Sequence, residues 1–185
     1  MLFVSGYPSN LPQTLKQSFN HLERASKRLF PAVGQNVLVI AFEEFETKTG
    51  GRLDALDITE EVLEVARASG VTRGNVLVFS PHTTCSVMIA QGGVEVVRQL
   101  EEAMHKLAPD DLYYQHDDFS IRTENMTEDE PPNAPSHLFH VFVGKTSECI
   151  PIVEGGPLLG DDQRVLFVEL DSSRPRRYCI QVVGE

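Results

Sequence analysis

"NVLVFSPHTTCSVMIA", residues 75–90, holds two apolar runs parted by a short polar stretch that contains His82. Runs of this length, rich in Val, Ile and Phe, read as strands. Two strands in succession, 75–80 and 85–90, decide the fold class once their neighbours are read. Upstream, "NVLVIAFEEF" (36–45) is strand-like, and "KTGGRLD" (48–54) carries paired glycines and reads as a loop or hairpin turn. "DITEEVLEVARASG" (57–70) follows as a helix. Asp57 with Glu60 gives a capping-box-like start, Ile58, Val62, Val65 and Ala66 form one stripe, and Gly70 supplies the stop.

Downstream, Gly92 and Gly93 lead into a second helix on which Val97, Leu100, Met104 and Leu107 share a face, closed by Pro109. Four strand-like runs end the chain: "HLFHVFV" (137–143), "SECIPI" (147–152), "RVLFVEL" (164–170) and "RYCIQVV" (177–183). Strand, helix, strands, helix, strands is not the regular alternation of a doubly wound sheet. The expectation is an α+β fold, a largely antiparallel mixed sheet with two core helices. Leu15, Phe19, Leu22 and Leu29 recur at helical spacing between Pro12 and Phe30. Residues 1–34 therefore read as an N-terminal helical extension and residues 35–185 as a single domain.

The composition is that of a globular chain, 41% apolar and 23% charged over 185 residues, long enough for one core. No apolar run nears the roughly 20 residues a bilayer requires. The start, "MLFVSGYPSN", lacks a basic n-region, so a cytoplasmic location is expected. Cys85, Cys149 and Cys179 are odd in number and far apart, which suits free thiols rather than disulfides or a Cys-rich zinc site. The formal net charge of −11 opposes nucleic-acid binding, which draws on surplus Lys and Arg. Residues 101–130 hold ten Asp or Glu against one Lys and one Arg. Most of that reads as a solvated face, with some of it available to surround a cation.

The histidines sort by position. His21 and His105 lie off the apolar stripes of their expected helices and read as surface residues. His82 stands at a strand junction, and His116 inside the long acidic, proline-rich segment 109–136. Segments of that length are usually functional or disordered. His137 and His140, three apart in an expected strand, point to opposite faces, and the local pattern does not choose between them. Three histidines from separate segments make a catalytic-type zinc set with one open position. Asp117 or Asp118 is placed to orient an imidazole from behind.

"HTTCSVMI", "YYQHDD", "NAPSHL", "IPIVEGGPLLG" and "VELDSSRPRR" resemble, in sequence and in order, the YjbQ-like family of secondary thiamine-phosphate synthases. The resemblance runs from about residue 52 to the C-terminus. It implies a compact α+β fold, a homotrimer, and a site around a divalent metal, zinc, at His82, His116 and His137. Thr83, Thr84, Asn133, Ser147, Arg174 and Arg176 also stand at family motif positions. The departures are Ala90 and Gln91 in place of an Asn-Glu pair, Asp162 in place of Trp, and Ser172-Ser173 in place of Gly-Pro.

The reaction so implied joins a pyrimidine methyl pyrophosphate to a thiazole phosphate with release of pyrophosphate. Such a site needs positive charge where the leaving group departs. His82, Thr83, Ser147 and Arg176 are the candidate catalytic residues. Thr84, Asn133, Lys145 and Arg174 are the candidate contacts to a small phosphorylated or anionic metabolite. The same groups also suit a zinc-dependent hydrolase of a phosphorylated or acyl substrate, because zinc-bound water titrates near pH 7. A trimeric metal- or anion-binding module without turnover is the non-enzymatic alternative.

Overall fold

The computed structural model describes residues 23–31, 38–91, 93–126 and 129–185. Among the described residues, nine strands form two antiparallel sheets. The larger sheet contains β1 (Glu23–Pro31), β2 (Val39–Lys48), β4 (Gly74–Phe79), β6 (Ser147–Val153), β7 (Gly156–Pro157) and β9 (Pro175–Gly184), in the order β1-β2-β9-β4-β6-β7. The smaller contains β3 (Ala55–Asp57), β5 (Cys85–Gln91) and β8 (Gln163–Glu169), in the order β3-β8-β5. The two strands read from residues 75–90 do exist, but they belong to different sheets, so the segment around His82 crosses from one to the other. The α+β class and the antiparallel pairing stand as expected.

The layers follow from burial. Phe45, Val76, Ile150, Tyr178 and Ile180 of the large sheet pack against Val87, Val165 and Phe167 of the small sheet. Helix α1 (Thr59–Ser69) adds Val62, Val65 and Ala66 to the same core. The opposite face of β8, Leu166 and Val168, packs on Val97, Met104 and Phe139 from helices α2 (Val94–Arg98), α3 (Glu101–Leu107) and α4 (Ala134–Phe142). Covered on both faces, β8 is apolar almost without interruption rather than alternating. At the close approach of β4 and β9, a Cβ on Gly74 or Gly184 would fall on the backbone of the other strand.

Four expectations need correction. The helix expected up to Phe30 is instead, over Glu23–Pro31, a strand paired antiparallel with β2; residues 12–22 lie outside the described residues. The register sets Lys27 opposite Glu43 and Arg28 opposite Phe42, so this part of the extension is the edge of the main sheet. A helical count of apolar residues does not register a partner strand that only the fold brings alongside.

The second core helix is two short helices, with Gln99 and Leu100 between them. Val97 and Met104 are buried as expected, but the break turns Leu107 outward to 54% exposure. The start of α1 also differs, because the Asp57 carboxylate accepts from the N–H and hydroxyl of Thr59 and no box with Glu60 closes. Gly70 ends the helix with φ 72°, as expected.

The fourth correction bears on the site. "HLFHVFV", expected as a strand, belongs to α4. Its β-branched and aromatic residues favour strands, yet three local features carry the helix. Asn133 is its N-cap, Pro135 lies in its first turn, and Asp117 accepts the N–H groups of Asn133 and Ala134. His137 and His140 are then roughly 60° apart around one helix rather than on opposite faces.

Candidate functional site

His116 sits in a single 3-10 turn, Gln115–Asp117, inside the acidic segment. His137 sits one turn into α4. Their rings meet at 4.7 Å between centroids, tilted by 47°. Asp117 sets both. Its Oδ1 lies 2.9 Å from His116 Nδ1, and the same oxygen accepts from Asn133 N and Ala134 N, each at 2.9 Å. One carboxylate thus holds the His116 ring and caps the helix that carries His137. A proton on Nδ1, directed at Asp117, would leave the lone pair on Nε2 of His116. Arg122 lies beside the ring, with Nη1 3.4 Å from the same Nδ1, and donates to the His116 carbonyl at 3.1 Å and to Glu130 at 2.7 Å, while Glu130 Oε1 stands 3.8 Å from His116 Nε2.

Burial, and next the neighbouring His116, hold the His137 pKa below the usual histidine value. That direction favours the uncharged ring, the form in which imidazole ligates a metal. His140 is not part of the pair. Its Nδ1–H donates to the Cys85 carbonyl at 2.9 Å, which pins α4 to β5.

His82 is placed differently. Its Nε2 accepts the backbone N–H of Arg177 at 3.0 Å, so Nδ1 carries the ring proton in this arrangement. The ring lines an open cavity of about 390 Å³ with Glu46, Thr47, Lys48, Pro175, Arg176 and Arg177. Burial, and then Arg176, lower its pKa too. Among the described residues no group of three or more His, Cys, Asp or Glu side chains could hold a metal ion. The chain by itself brings His116 and His137 together and leaves His82 in the cavity.

A buried polar network runs between these two places. Arg176 donates through Nε and Nη2 to both oxygens of Glu169, at 2.7 and 2.6 Å, and through Nη2 to Thr84 Oγ1 at 3.1 Å. Glu169 is 0% and Arg176 7% exposed. Thr49 Oγ1 also donates to Glu169, at 2.7 Å. Glu169 Oε1 accepts the N–H of Asp171. Asp171 in turn accepts from Asn133 Nδ2 and Arg174 Nη2, at 2.9 and 2.6 Å. Cys85 lies against Glu169, and burial followed by that carboxylate pushes its thiol up to about 12. It is a packing residue, not a nucleophile.

The other expected residues fall as follows. Thr84 and Asn133 are buried in the network, while Thr83 is exposed at the strand junction. Lys145 pairs with Glu148 on the surface at 2.7 Å. Ser147 begins β6 opposite Phe79. Sequence reasoning missed Arg122 and Glu130 beside His116, Thr49 bonded to Glu169, and Lys48 and Arg177 at the cavity. Thr49 and Glu169 are 120 residues apart, and only the fold joins such pairs.

Two antiparallel sheets, a helical layer and a carboxylate-braced histidine pair define an α+β protein with a candidate imidazole site. The sequence profile of the family described as "UPF0047 protein YjbQ-like" matches residues 43–185, and the chain belongs to that family. A UPF0047 protein of Methanothermobacter thermautotrophicus is 32% identical over 143 residues, covering 77% of this chain and 92% of that protein. One from Archaeoglobus fulgidus is 33% identical over 140 residues, covering 76% and 99%. Among solved structures, a hypothetical protein of Aeropyrum pernix K1 aligns with TM-score 0.64 and 30% identity, over 78% of this chain and 98% of that one. A YbjQ-like protein of unknown function from Sulfolobus solfataricus P2 aligns with TM-score 0.67 over 80% and 99%; at 23% identity it speaks for the fold alone.

Proposed function

We propose that this protein is a metal-assisted enzyme acting on a small phosphorylated metabolite, with a divalent cation, zinc, held by His116, His137 and His82. The observation that carries the reading is the pair of imidazoles 4.7 Å apart with Asp117 behind one of them. Carboxylate–histidine pairs of this kind fix the tautomer and raise the basicity of a ligating ring. Ligation by His82 exchanges its bond with the Arg177 N–H for the metal. When bound, the cation supplies positive charge to an anionic leaving group.

The substrate class follows from the family resemblance and suits the charges nearby. Lys48, Arg176 and Arg177 face the cavity that His82 lines. In the thiamine-phosphate synthase reaction, the C–O bond of the pyrimidine methyl pyrophosphate breaks and pyrophosphate leaves with the electron pair. The thiazole nitrogen then bonds to that carbon, and no proton need be transferred. The residues of this chain have to neutralise and orient anions, a part that suits Lys48 and Arg177 at the cavity, with Thr83 exposed at the nearby strand junction. Arg174 and Lys145, already paired with Asp171 and Glu148, have the smaller part.

The test is pyrophosphate release from the two precursors by zinc-loaded protein, compared with the His116→Ala variant. Release that depends on His116 supports the reading. Absence of release, with a phosphorylated ligand retained on the purified protein, favours the binding module instead. Gln91, where the family carries a carboxylate, is the feature that favours that second reading.

A further inference from the structure

We infer that Asp171 is a positioning residue for His137: from two residues past β8 it fixes the first turn of α4, and with it one ring of the histidine pair. This rests on the metal reading above and goes beyond it by naming a carboxylate, far in sequence from both histidines, on which the pair depends.

Asn133 does not cap its own helix. It is the N-cap residue of α4, where an Asn side chain ordinarily accepts an N–H of the first turn, yet it makes no such bond. Its Nδ2 donates instead to Asp171 Oδ2 at 2.9 Å, and its Oδ1 is buried with no hydrogen-bond partner among the described residues. A buried oxygen left unpaired is costly. Asp171 imposes that arrangement, because a carboxylate only accepts and so selects the Nδ2 end of the amide. Capping falls to Asp117, whose Oδ1 accepts the N–H groups of Asn133 and Ala134.

Asp171 has a second hold on the same turn. Its Oδ1 accepts from Ser136 Oγ at 3.3 Å, and Ser136 is fully buried, one residue before His137. Residues three apart are neighbours on a helix surface, so the carboxylate grips two adjacent points of the turn. Asp117 holds the backbone there, and Asp171 holds the side chains. Asp171 is itself fixed. Its N–H donates to Glu169 Oε1 at 3.0 Å, and Arg174 Nη2 donates to its Oδ2 at 2.6 Å. Glu169 is held in turn by Arg176 and Thr49. The turn before His137 therefore stands on the buried ion pair. A ligating ring has to be held within about 0.5 Å of its place, and contacts behind the ligand supply that restraint.

The test exchanges the two ends of the hydrogen bond. Asn133→Asp sets a carboxylate against Asp171 and breaks the contact. Adding Asp171→Asn restores the bond in reverse, from the new amide to the new acid. Zinc affinity is measured by competition with a chelator. In the metal-free protein, the nuclear Overhauser contact between the His116 and His137 ring protons is followed, with urea midpoints alongside. Asn133→Asp is expected to weaken zinc binding about 10–100-fold and to reduce the ring contact, and the double variant to recover most of both. A double variant with neither affinity nor ring contact restored overturns the inference, whatever its stability. So does an Asn133→Asp protein that unfolds earlier but keeps wild-type affinity and ring contact, which leaves Asp171 a purely structural part. If the wild-type protein takes up no zinc, the metal reading falls and the ring contact alone decides for Asp171. Should Asn133→Asp not fold, Asn133→Ala removes the amide without adding a charge. Loss of affinity and ring contact in that variant supports the inference, and wild-type values overturn it.

Discussion

His116 Nδ1 and Asp117 Oδ1 stand 2.9 Å apart, and that oxygen also receives the first N–H groups of the helix bearing His137. A single carboxylate therefore sets the ring of one candidate ligand and the backbone of the other. Asp117→Ala is expected to destabilise the fold by about 2 kcal/mol, the upper range for losing a helix cap. It should also weaken zinc binding about 10–100-fold, as removal of a carboxylate behind a ligating histidine does. Urea unfolding of the metal-free protein and zinc competition with a chelator separate the two effects. A variant that unfolds earlier but binds zinc normally would leave Asp117 as a cap only.

His140 provides the contrast. His140→Ala removes its hydrogen bond to the Cys85 carbonyl and should cost about 1–2 kcal/mol without lowering zinc content. His137→Ala, one turn earlier, should lower it. Metal analysis of the two purified variants checks this directly, and equal loss in both would mean that His137 is not singled out as the ligand on this helix.

The Arg176–Glu169 pair should behave as a buried ion pair. Arg176→Met leaves a carboxylate of 0% exposure without its cation and is expected to cost about 3–5 kcal/mol. Pairing it with Glu169→Leu should recover part of that loss, because the uncompensated charge is then gone. Denaturant midpoints of the single and double variants decide the point.

Stability should fall on the acid side of neutrality. His82 and His137 both titrate below the ordinary histidine value when folded, chiefly through burial. As pH drops below about 6.5 the unfolded chain takes up protons that the folded chain resists. Their contribution is therefore complete above that pH and is lost as pH falls through the folded values. Urea unfolding across pH 5–8 should show the slope, and His82→Gln with His137→Gln should flatten it.

Cys85, with its thiol pushed up to about 12 and fully buried, should resist alkylation in the folded protein at pH 8. Exposed Cys149 should react first. Mass-spectrometric mapping after a short exposure to iodoacetamide distinguishes them, and early modification of Cys85 would show that the core around Glu169 opens readily.

What could be read without the fold was what local chemistry governs. The strands at 75–80, 85–90, 147–152 and 177–183, helix α1 and its Gly70 stop were all legible, because alternation, helical stripes and a left-handed glycine act over a few residues. The resemblance named His116, His137 and His82 together; the rings of the first two meet, and His82 lies apart in the cavity. Yet α4 was mistaken for a strand. Its β-branched and aromatic residues spoke louder than Asn133 and Pro135, which mark a helix start and were already visible in "NAPSH".

Tertiary structure alone decided the rest. Glu23–Pro31 became a strand because β2 offered it a ladder, and the second helix broke where the core under β8 accepts Val97 and Met104 but not Leu107. The links of Thr49 to Glu169, Arg122 to Glu130 and His82 to Arg177 join residues whose positions follow from chain topology rather than from their neighbours in sequence. Amino-acid order fixes which side chains can bind, cap or pack, through propensities that decay within a turn or a strand. Which of them meet is settled by how sheets and helices bury their apolar faces, and that depends on the whole chain at once.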